Sequence, residues 1–172
     1  MPLLVRHPDS PASAVQSIEA ELLRAPEGAV ATFRLIGDIG KVMIPPPAAG
    51  RADGLWRTTC FELFVERAGG GYREFNLSPS GAWAAYDFEG YREGMRAAPA
   101  DVAVSFSSKG NQLTMIAVID SEFPNCAKVG LSAVVEQTDG AIRYWATSFA
   151  PGKPDFHHDA VRALILDEVS AS

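Results

Sequence analysis

Two glutamates and an asparagine fall at alternate positions of two neighbouring segments that both read as β-strands. Glu62 lies in the segment 58–66, and Glu74 and Asn76 lie in the segment 72–77. Apolar residues alternate with polar ones in each segment, so a shared apolar core would turn all three polar side chains to the opposite face. Carboxylates and amides on such a face can bind the hydroxyl groups of a small ligand. The spacing therefore predicts a polar binding site on one sheet.

The chemistry of this cluster depends on how the two strands pair. The glycines at 69–71 supply the turn between them. If Phe64 pairs with Glu74, then Glu62 lies opposite Asn76, and the amide can donate to a carboxylate. If Glu62 pairs with Glu74, two like charges face each other unless a cation, an arginine or a ligand lies between them. We favour the first register; ordinary solvent-facing positions of a half-exposed sheet are the alternative.

Aromatic side chains and one arginine complete the predicted site. A tryptophan suits a sugar site because one face of a pyranose ring is apolar. We expect Trp56 and Trp83 to stack on the ligand and Arg143 to hydrogen-bond to it, with core positions as the alternative for each tryptophan. The full set of predicted ligand-binding residues is Trp56, Glu62, Glu74, Asn76, Trp83, Tyr86, Arg143, Trp145 and His157.

The run from Arg51 to Arg92 resembles the DOMON-like superfamily, in particular the soluble bacterial subgroup named for its association with MurB-like cell-wall reductases. That superfamily is similar in fold to the family 9 carbohydrate-binding modules. The residues that carry the resemblance are Asp53 to Trp56, Thr58 to Phe64, Tyr72, Glu74 to Asn76, Ser78 to Ser80, Trp83, Tyr86, Gly90 to Arg92 and Lys153 to His158. The resemblance implies a β-sandwich that binds a sugar or a haem in a pocket on one sheet, and no settled function for this subgroup.

We therefore expect a non-catalytic domain that binds a small ligand, either a saccharide or a cell-wall precursor. A haem-binding module and a structural or interaction module are the alternatives. Haem ligation in some relatives uses a methionine and a histidine, but Met115 alternates with core residues, so no cofactor is expected. A glycoside-processing enzyme is a weaker alternative. It would use Glu62 and Glu74 as a carboxyl pair about 5 Å apart, yet no sequence feature identifies an acid of raised pKa.

No metal site and no catalytic residue are predicted. His157 and His158 lie near two aspartates, but adjacent residues of an extended segment point in opposite directions, so at most one of them reaches a given metal. No disulfide is expected between Cys60 and Cys126, because their spacing fits no common motif and a reducing compartment keeps thiols reduced.

Length and charge exclude several classes of partner. The chain of 172 residues suits one domain over residues 1–172, and it carries a net charge of −6 without a long basic block. Nucleic acid is therefore not an expected partner. No apolar run is long enough for a signal peptide or a membrane span, so we expect a cytoplasmic protein without a membrane partner. The oligomeric state is not indicated.

Turn residues at short intervals separate runs of alternating residues, which is typical of a sandwich. Besides the two central strands, strands are expected at 3–7, 14–24, 31–36, 42–44, 82–88, 102–107, 113–119, 129–136 and 142–149. The segment 160–169 is expected to close a sheet edge, either directly or through one helical turn. Residues 14–24 also fit a helical spacing; we interpret them as a strand because the implied fold is all β. The sequence thus predicts an all-β antiparallel sandwich of the jelly-roll type.

Overall fold

The structure, a computed structural model, describes residues 1–167. The strands in that range are β1 (Val5–Arg6), β2 (Val15–Ala25), β3 (Gly28–Gly37), β4 (Gly50–Arg51), β5 (Cys60–Glu66), β6 (Tyr72–Leu77), β7 (Ala82–Phe88), β8 (Arg96–Ala97), β9 (Asp101–Lys109), β10 (Gln112–Asp120), β11 (Ala127–Glu136), β12 (Ile142–Ala146) and β13 (Leu164–Leu166). Short 3-10 turns occupy Ile39–Lys41, Leu55–Arg57 and Asp159–Val161. None of the helical segments in this range could cross a membrane.

The strands form two sheets that pack face to face. The smaller sheet has the order β2-β3-β10-β9, and the larger has the order β1-β12-β11-β5-β6-β7-β4, with β13 beside β11 and β8 beside β7. The pairs are antiparallel except that β4 runs parallel to β7. The predicted all-β antiparallel sandwich is confirmed.

The core lies between the two sheets. It is built from the side chains at every second position of each strand, which point to the inner face. Alternate residues of β3 are buried along its whole length, and Phe33 contributes its ring to the core. Phe33 lies 4.9 Å from Phe61 of β5, measured between ring centroids. Phe75 and Leu131 lie on the same inner face of the larger sheet, and both are fully buried. Burial of these apolar faces is the main force that holds the sheets together.

The centre of the larger sheet is buried on its outer face as well. Every residue of β6 and β7 is buried, whereas a sheet with one solvated face would alternate. A second apolar cluster explains this, because irregular chain after β12 covers the outer face and packs Phe156 and Val161 near Phe64 and Phe88. Polar side chains on this face are therefore enclosed between the sheet and a covering segment.

One of the predicted strands needs correction. Residues 14–24 do form a strand, β2, but residues 42–44 do not, because a 3-10 turn precedes Val42 and this residue makes only an isolated bridge to Gln137. The segment 160–169 contains the end of a 3-10 turn and β13, which joins the larger sheet at β11. Residues 168 and 169 of that prediction lie outside the described range.

Candidate functional site

The predicted register of the central hairpin is confirmed. Glu62 lies opposite Asn76, and Phe64 lies opposite Glu74. All three polar side chains point to the outer face of the larger sheet. In the amide orientation that its neighbours require, the Asn76 nitrogen donates to Glu62 Oε1 at 2.9 Å and to Glu74 Oε1 at 3.1 Å. One amide therefore bridges two carboxyl groups.

The two carboxyl groups form a buried acid pair. Glu62 is 3% exposed and Glu74 is 5% exposed. Burial, and then the charge of Glu74, raises the pKa of Glu62 well above its ordinary value. Burial raises the pKa of Glu74 to about 7, although the hydrogen bond from Glu62 and the charge of Arg92 oppose that rise. The pair therefore holds a proton at neutral pH, because two adjacent buried carboxylates cannot both ionise without water.

The acid pair retains unused hydrogen-bonding capacity. Ser132 of β11 lies directly opposite Glu62 on the other side of β5. Among the described residues, neither Glu62 Oε2 nor Ser132 Oγ has a hydrogen-bond partner, and both atoms are buried. Buried polar atoms of this kind are uncommon in folded proteins. The cluster can therefore take further polar groups if its cover opens.

His157 covers Glu74. Its Nδ1 lies 2.7 Å from the Tyr72 hydroxyl, and its Nε2 lies 3.9 Å from Glu74 Oε2, beyond hydrogen-bonding distance. The Tyr72 hydroxyl accepts the Arg92 backbone N–H at 3.1 Å, so its own proton is available for His157 Nδ1. Burial, and then the charge of Arg92, lowers the pKa of His157 to about 4. The imidazole is therefore neutral at neutral pH, with its proton on Nε2 facing Glu74.

Asp155 ties the covering segments together. Its Oδ1 accepts from Arg92 Nη2 at 2.9 Å and from the His157 backbone N–H at 3.0 Å. The Tyr91 hydroxyl also donates to the Asp155 carboxylate. The turn that contains Tyr91 and the segment that contains His157 are thus joined through one carboxylate.

Asp53 closes the opposite side of the cluster. The Tyr86 hydroxyl donates to the Asp53 carboxylate, and Tyr86 lies opposite Glu74 in the β6–β7 register. Burial, and then this hydrogen bond, raises the pKa of Tyr86. Arg51 anchors the same loop by donating to the Ala85 carbonyl at 3.0 Å. The acid pair is therefore enclosed from both sides.

An open groove lies at the end of the β5–β6 hairpin, on the far side of the His157 cover. Its volume is about 530 Å³, within the usual range of small-molecule sites. It is lined by Glu66, Arg67, Gly70, Gly71, Tyr72, Gly90, Tyr91, His157, His158, Asp159 and Arg162. Arg162 places its guanidinium 4.9 Å from the Tyr72 ring centre and donates from Nε to Glu66 Oε1 at 3.2 Å. Tyr91 is 56% exposed, so an aromatic ring is available to a ligand.

The structure brings together five of the nine predicted site residues and separates the other four from them. Glu62, Glu74, Asn76, Tyr86 and His157 meet on the outer face of the larger sheet.

The tryptophans and Arg143 do not join them, which corrects the prediction. Trp83 and Trp145 lie on the inner face of the larger sheet and are buried in the core. Arg143 is held at another edge by the Ala12 carbonyl, with Nη2 at 2.7 Å, and by Asp139. Trp56 is 53% exposed on its 3-10 turn, with the Arg57 guanidinium 5.6 Å from its ring centre.

Met115 and His157 do not form an axial ligand pair for a haem. Met115 is fully buried in the core between the sheets, whereas His157 lies on the outer face of the larger sheet with Nδ1 engaged by Tyr72. Within residues 1–167, no group of three or more histidine, cysteine, aspartate or glutamate side chains could hold a metal ion. The site's own chemistry is that of acids, hydroxyls, guanidinium groups and aromatic rings.

Several residues of this region were not among the predicted site residues. Ser132 could have been found, because it alternates with core residues of β11 and so must share the face of Glu62 once the strands pair. The groove residues Tyr91, Arg162 and Glu66 could not, since they lie at a strand end or in irregular segments that have no periodicity. Only the tertiary fold brings them together.

Gly130 fixes how closely the covering segment approaches the sheet. A Cβ at this position would lie 2.5 Å from the Val161 carbonyl oxygen. We expect Gly130→Ala to displace the 3-10 turn and to lower the free energy of unfolding by about 1–3 kcal/mol, as overpacking does. Urea denaturation measures this. Gly40→Ala is the control, because its Cβ would meet only Asp38 Oδ1 at 3.6 Å; equal stabilities of the two variants would contradict the close packing.

Comparison with known proteins identifies the fold. A solved structure of a putative carbohydrate-binding protein from Bacteroides uniformis superposes with a TM-score of 0.65, at 12% sequence identity, over 93% of this chain and 82% of that chain. At this identity the similarity concerns the fold alone. The chain matches no protein-family model and no curated protein, so membership of the DOMON-like superfamily stays a prediction. The comparison therefore shows a shared β-rich fold.

Proposed function

We propose that this protein is a non-catalytic binding domain that takes a saccharide, or a saccharide-containing cell-wall precursor, in the groove at the end of the β5–β6 hairpin. The observation that carries the proposal is the groove itself, which combines about 530 Å³ of open volume with aromatic, acidic and basic lining residues. The structural neighbour named as a putative carbohydrate-binding protein supports the same class of ligand.

The lining matches the two kinds of surface that a sugar presents. Tyr91 offers an exposed ring for the apolar C–H face of a pyranose. Glu66 and Arg162, already paired at 3.2 Å, offer an acceptor and donors for neighbouring hydroxyl groups. Asp159 and His158 line the groove beside them. A bidentate arginine also suits a carboxylate or a phosphate on the sugar.

The buried acid pair serves as a support for this groove in the proposal. His157 and Tyr72 line the groove on one side and cover Glu74 on the other. A ligand that displaced His157 would gain access to Glu74 and to the unpartnered oxygen of Glu62. In the closed arrangement the acid pair instead fixes the position of the groove wall.

A saccharide screen by glycan array, followed by calorimetry, tests the proposal. We expect Tyr91→Ala to weaken binding of any captured sugar by about fivefold to tenfold, since a lost stacking contact is worth about 1–1.5 kcal/mol. Trp56→Ala is the matched control, because Trp56 is also an exposed aromatic residue but does not line the groove. Loss of binding in Trp56→Ala with full binding in Tyr91→Ala would move the site to the 3-10 turn. No binding by the unaltered protein would refute the proposal.

A further inference from the structure

Strand β9 is an uncovered edge of the smaller sheet. One side of β9 pairs with β10 from Asp101 to Lys109, and no described strand pairs with the other side. The opposite edge of this sheet, β2, is protected by the N-terminal segment. The Leu4 N–H donates to the Ile18 carbonyl at 2.8 Å, and the Ala20 N–H donates to the Pro2 carbonyl at 2.9 Å. An unprotected edge strand presents free backbone groups to another strand.

The sequence of β9 lacks the usual protections of an edge. The strand has 9 residues and contains neither a proline nor a bulge. Its charged residues are only Asp101 and Lys109, which stand at its two ends. Phe106 points toward the inner face but is 39% exposed, and Val104 beside it is half-buried. A second strand along this edge would cover both side chains.

Charge makes one register of self-pairing complementary. In an antiparallel pair of two β9 strands centred on Ser105, Asp101 lies opposite Lys109 of the second copy, and the twofold axis repeats this contact. Val104 then lies opposite Phe106, and Ser105 lies opposite itself. If the twofold axis passed through Val104 or Phe106 instead, neither Asp101 nor Lys109 would lie opposite a residue of the opposite charge. Cross-strand pairs of opposite charge stabilise a sheet.

A like-charge contact within the chain strengthens the argument. Asp101 lies directly opposite Asp120 of β10, and both residues are exposed. Two carboxylates opposite each other across a ladder are unfavourable. Lys109 of a second copy would lie on the other side of Asp101 and would offset this repulsion.

We propose that the protein forms a twofold-symmetric dimer by antiparallel pairing of β9 with β9 of a second copy, centred on Ser105. The two smaller sheets then become one continuous sheet, and the interface is isologous. The groove lies on the larger sheet, so both grooves stay open, and a polymeric ligand could bind the two sites together with gain in avidity. The dimer does not depend on the proposed saccharide function.

Cysteine cross-linking tests the register directly. Directly opposed residues of an antiparallel pair have Cα atoms about 4.5–5.5 Å apart, within the span of a disulfide. We expect Ser105→Cys, in a Cys126→Ser background, to give a cross-linked dimer under mild oxidation. Ser107→Cys is the matched control on the same face of the same strand, because its two copies would lie about 13 Å apart, four residues along the strand, and should stay monomeric on a non-reducing gel.

Charge reversal provides the second measurement. In sedimentation experiments we expect Asp101→Lys and Lys109→Asp each to weaken dimerisation on the order of tenfold, because each places two like-charge pairs at the interface. The double variant restores the pairs in reversed order and should restore the dimer. Equal cross-linking of Ser105→Cys and Ser107→Cys, a monomer at every concentration, or single reversals without effect would overturn the proposal.

Discussion

Replacing both Glu62 and Glu74 by glutamine should abolish much of the decrease in the free energy of unfolding that the protein undergoes between pH 5 and pH 8. Burial raises the pKa of each carboxyl group in the folded chain, for Glu74 from 4.5 to about 7. The folded state therefore holds protons that the unfolded state has released. Under these conditions the free energy of unfolding falls as pH rises from the unfolded pKa through the folded pKa. Glutamine carries no titrating proton, so the variant lacks this fall.

His157 acts in the opposite direction on the pH dependence of stability. Its pKa is lowered from 6.5 to about 4, so the unfolded chain binds a proton that the folded chain excludes. Stability from this residue rises with pH between those two values and is constant above them. The contribution of His157 and that of the carboxyl groups oppose each other below pH 6.5. The difference between the double variant and the unaltered protein isolates the carboxyl effect, because His157 is present in both.

Urea denaturation at several pH values measures the effect. The shift of Glu74 alone corresponds to about 3 kcal/mol between pH 4.5 and pH 7, and Glu62 adds to it in the same direction. We expect the double variant to gain stability relative to the unaltered protein as pH rises. Glu27→Gln is the control, because Glu27 is exposed and its replacement should leave the pH profile unchanged. Parallel pH profiles of the double variant and the unaltered protein would mean that the acid pair is ionised or hydrated.

The alternation of apolar and polar residues with a period of two was enough to predict the central strands of the fold and the polar cluster on them. The alternation in the segments of β5 and β6, with glycines between them, determined both the face and the register that place Glu62 opposite Asn76. The same rule argues against one of the predicted residues. Trp83 and Tyr86 are three positions apart on β7, so only one of them can face the cluster. Tyr86 does, and Trp83 packs in the core.

The enclosure of the cluster could not be predicted from local patterns. The alternation of β6 left a half-exposed sheet open as an alternative, yet β6 is buried on both faces. The cover comes from irregular chain beyond β12. Its contacts with the sheet join residues far apart in sequence, such as His157 and Tyr72, which are separated by 85 positions and lie 2.7 Å apart. Charge, not periodicity, positions these segments, through Asp155 and Arg92. Such contacts leave no regular signal in the sequence.

The ion pair between Arg73 and Asp87 should give the largest loss of stability when it is broken. Arg73 donates from Nε to Asp87 Oδ1 at 2.7 Å and from Nη2 to Oδ2 at 2.9 Å, and both residues are buried. Arg73 also donates to Ser121 Oγ at 2.8 Å, which links the larger sheet to the end of β10. We expect Asp87→Ala to cost about 3–5 kcal/mol, because it leaves a buried guanidinium unpaired.

Thermal denaturation measures this loss, which for a chain of this size corresponds to a decrease in Tm on the order of 10 °C. Asp38→Ala is the control, because the Asp38–Lys41 pair is exposed at the surface with its atoms 3.6 Å apart, and its loss should cost less than about 1 kcal/mol. Arg73→Met combined with Asp87→Leu should recover most of the lost stability, since two apolar side chains leave no charge unpaired. If Asp87→Ala and Asp38→Ala had the same Tm, the buried ion pair would contribute no more stability than a surface pair. The two sheets would then be held together by the apolar core alone.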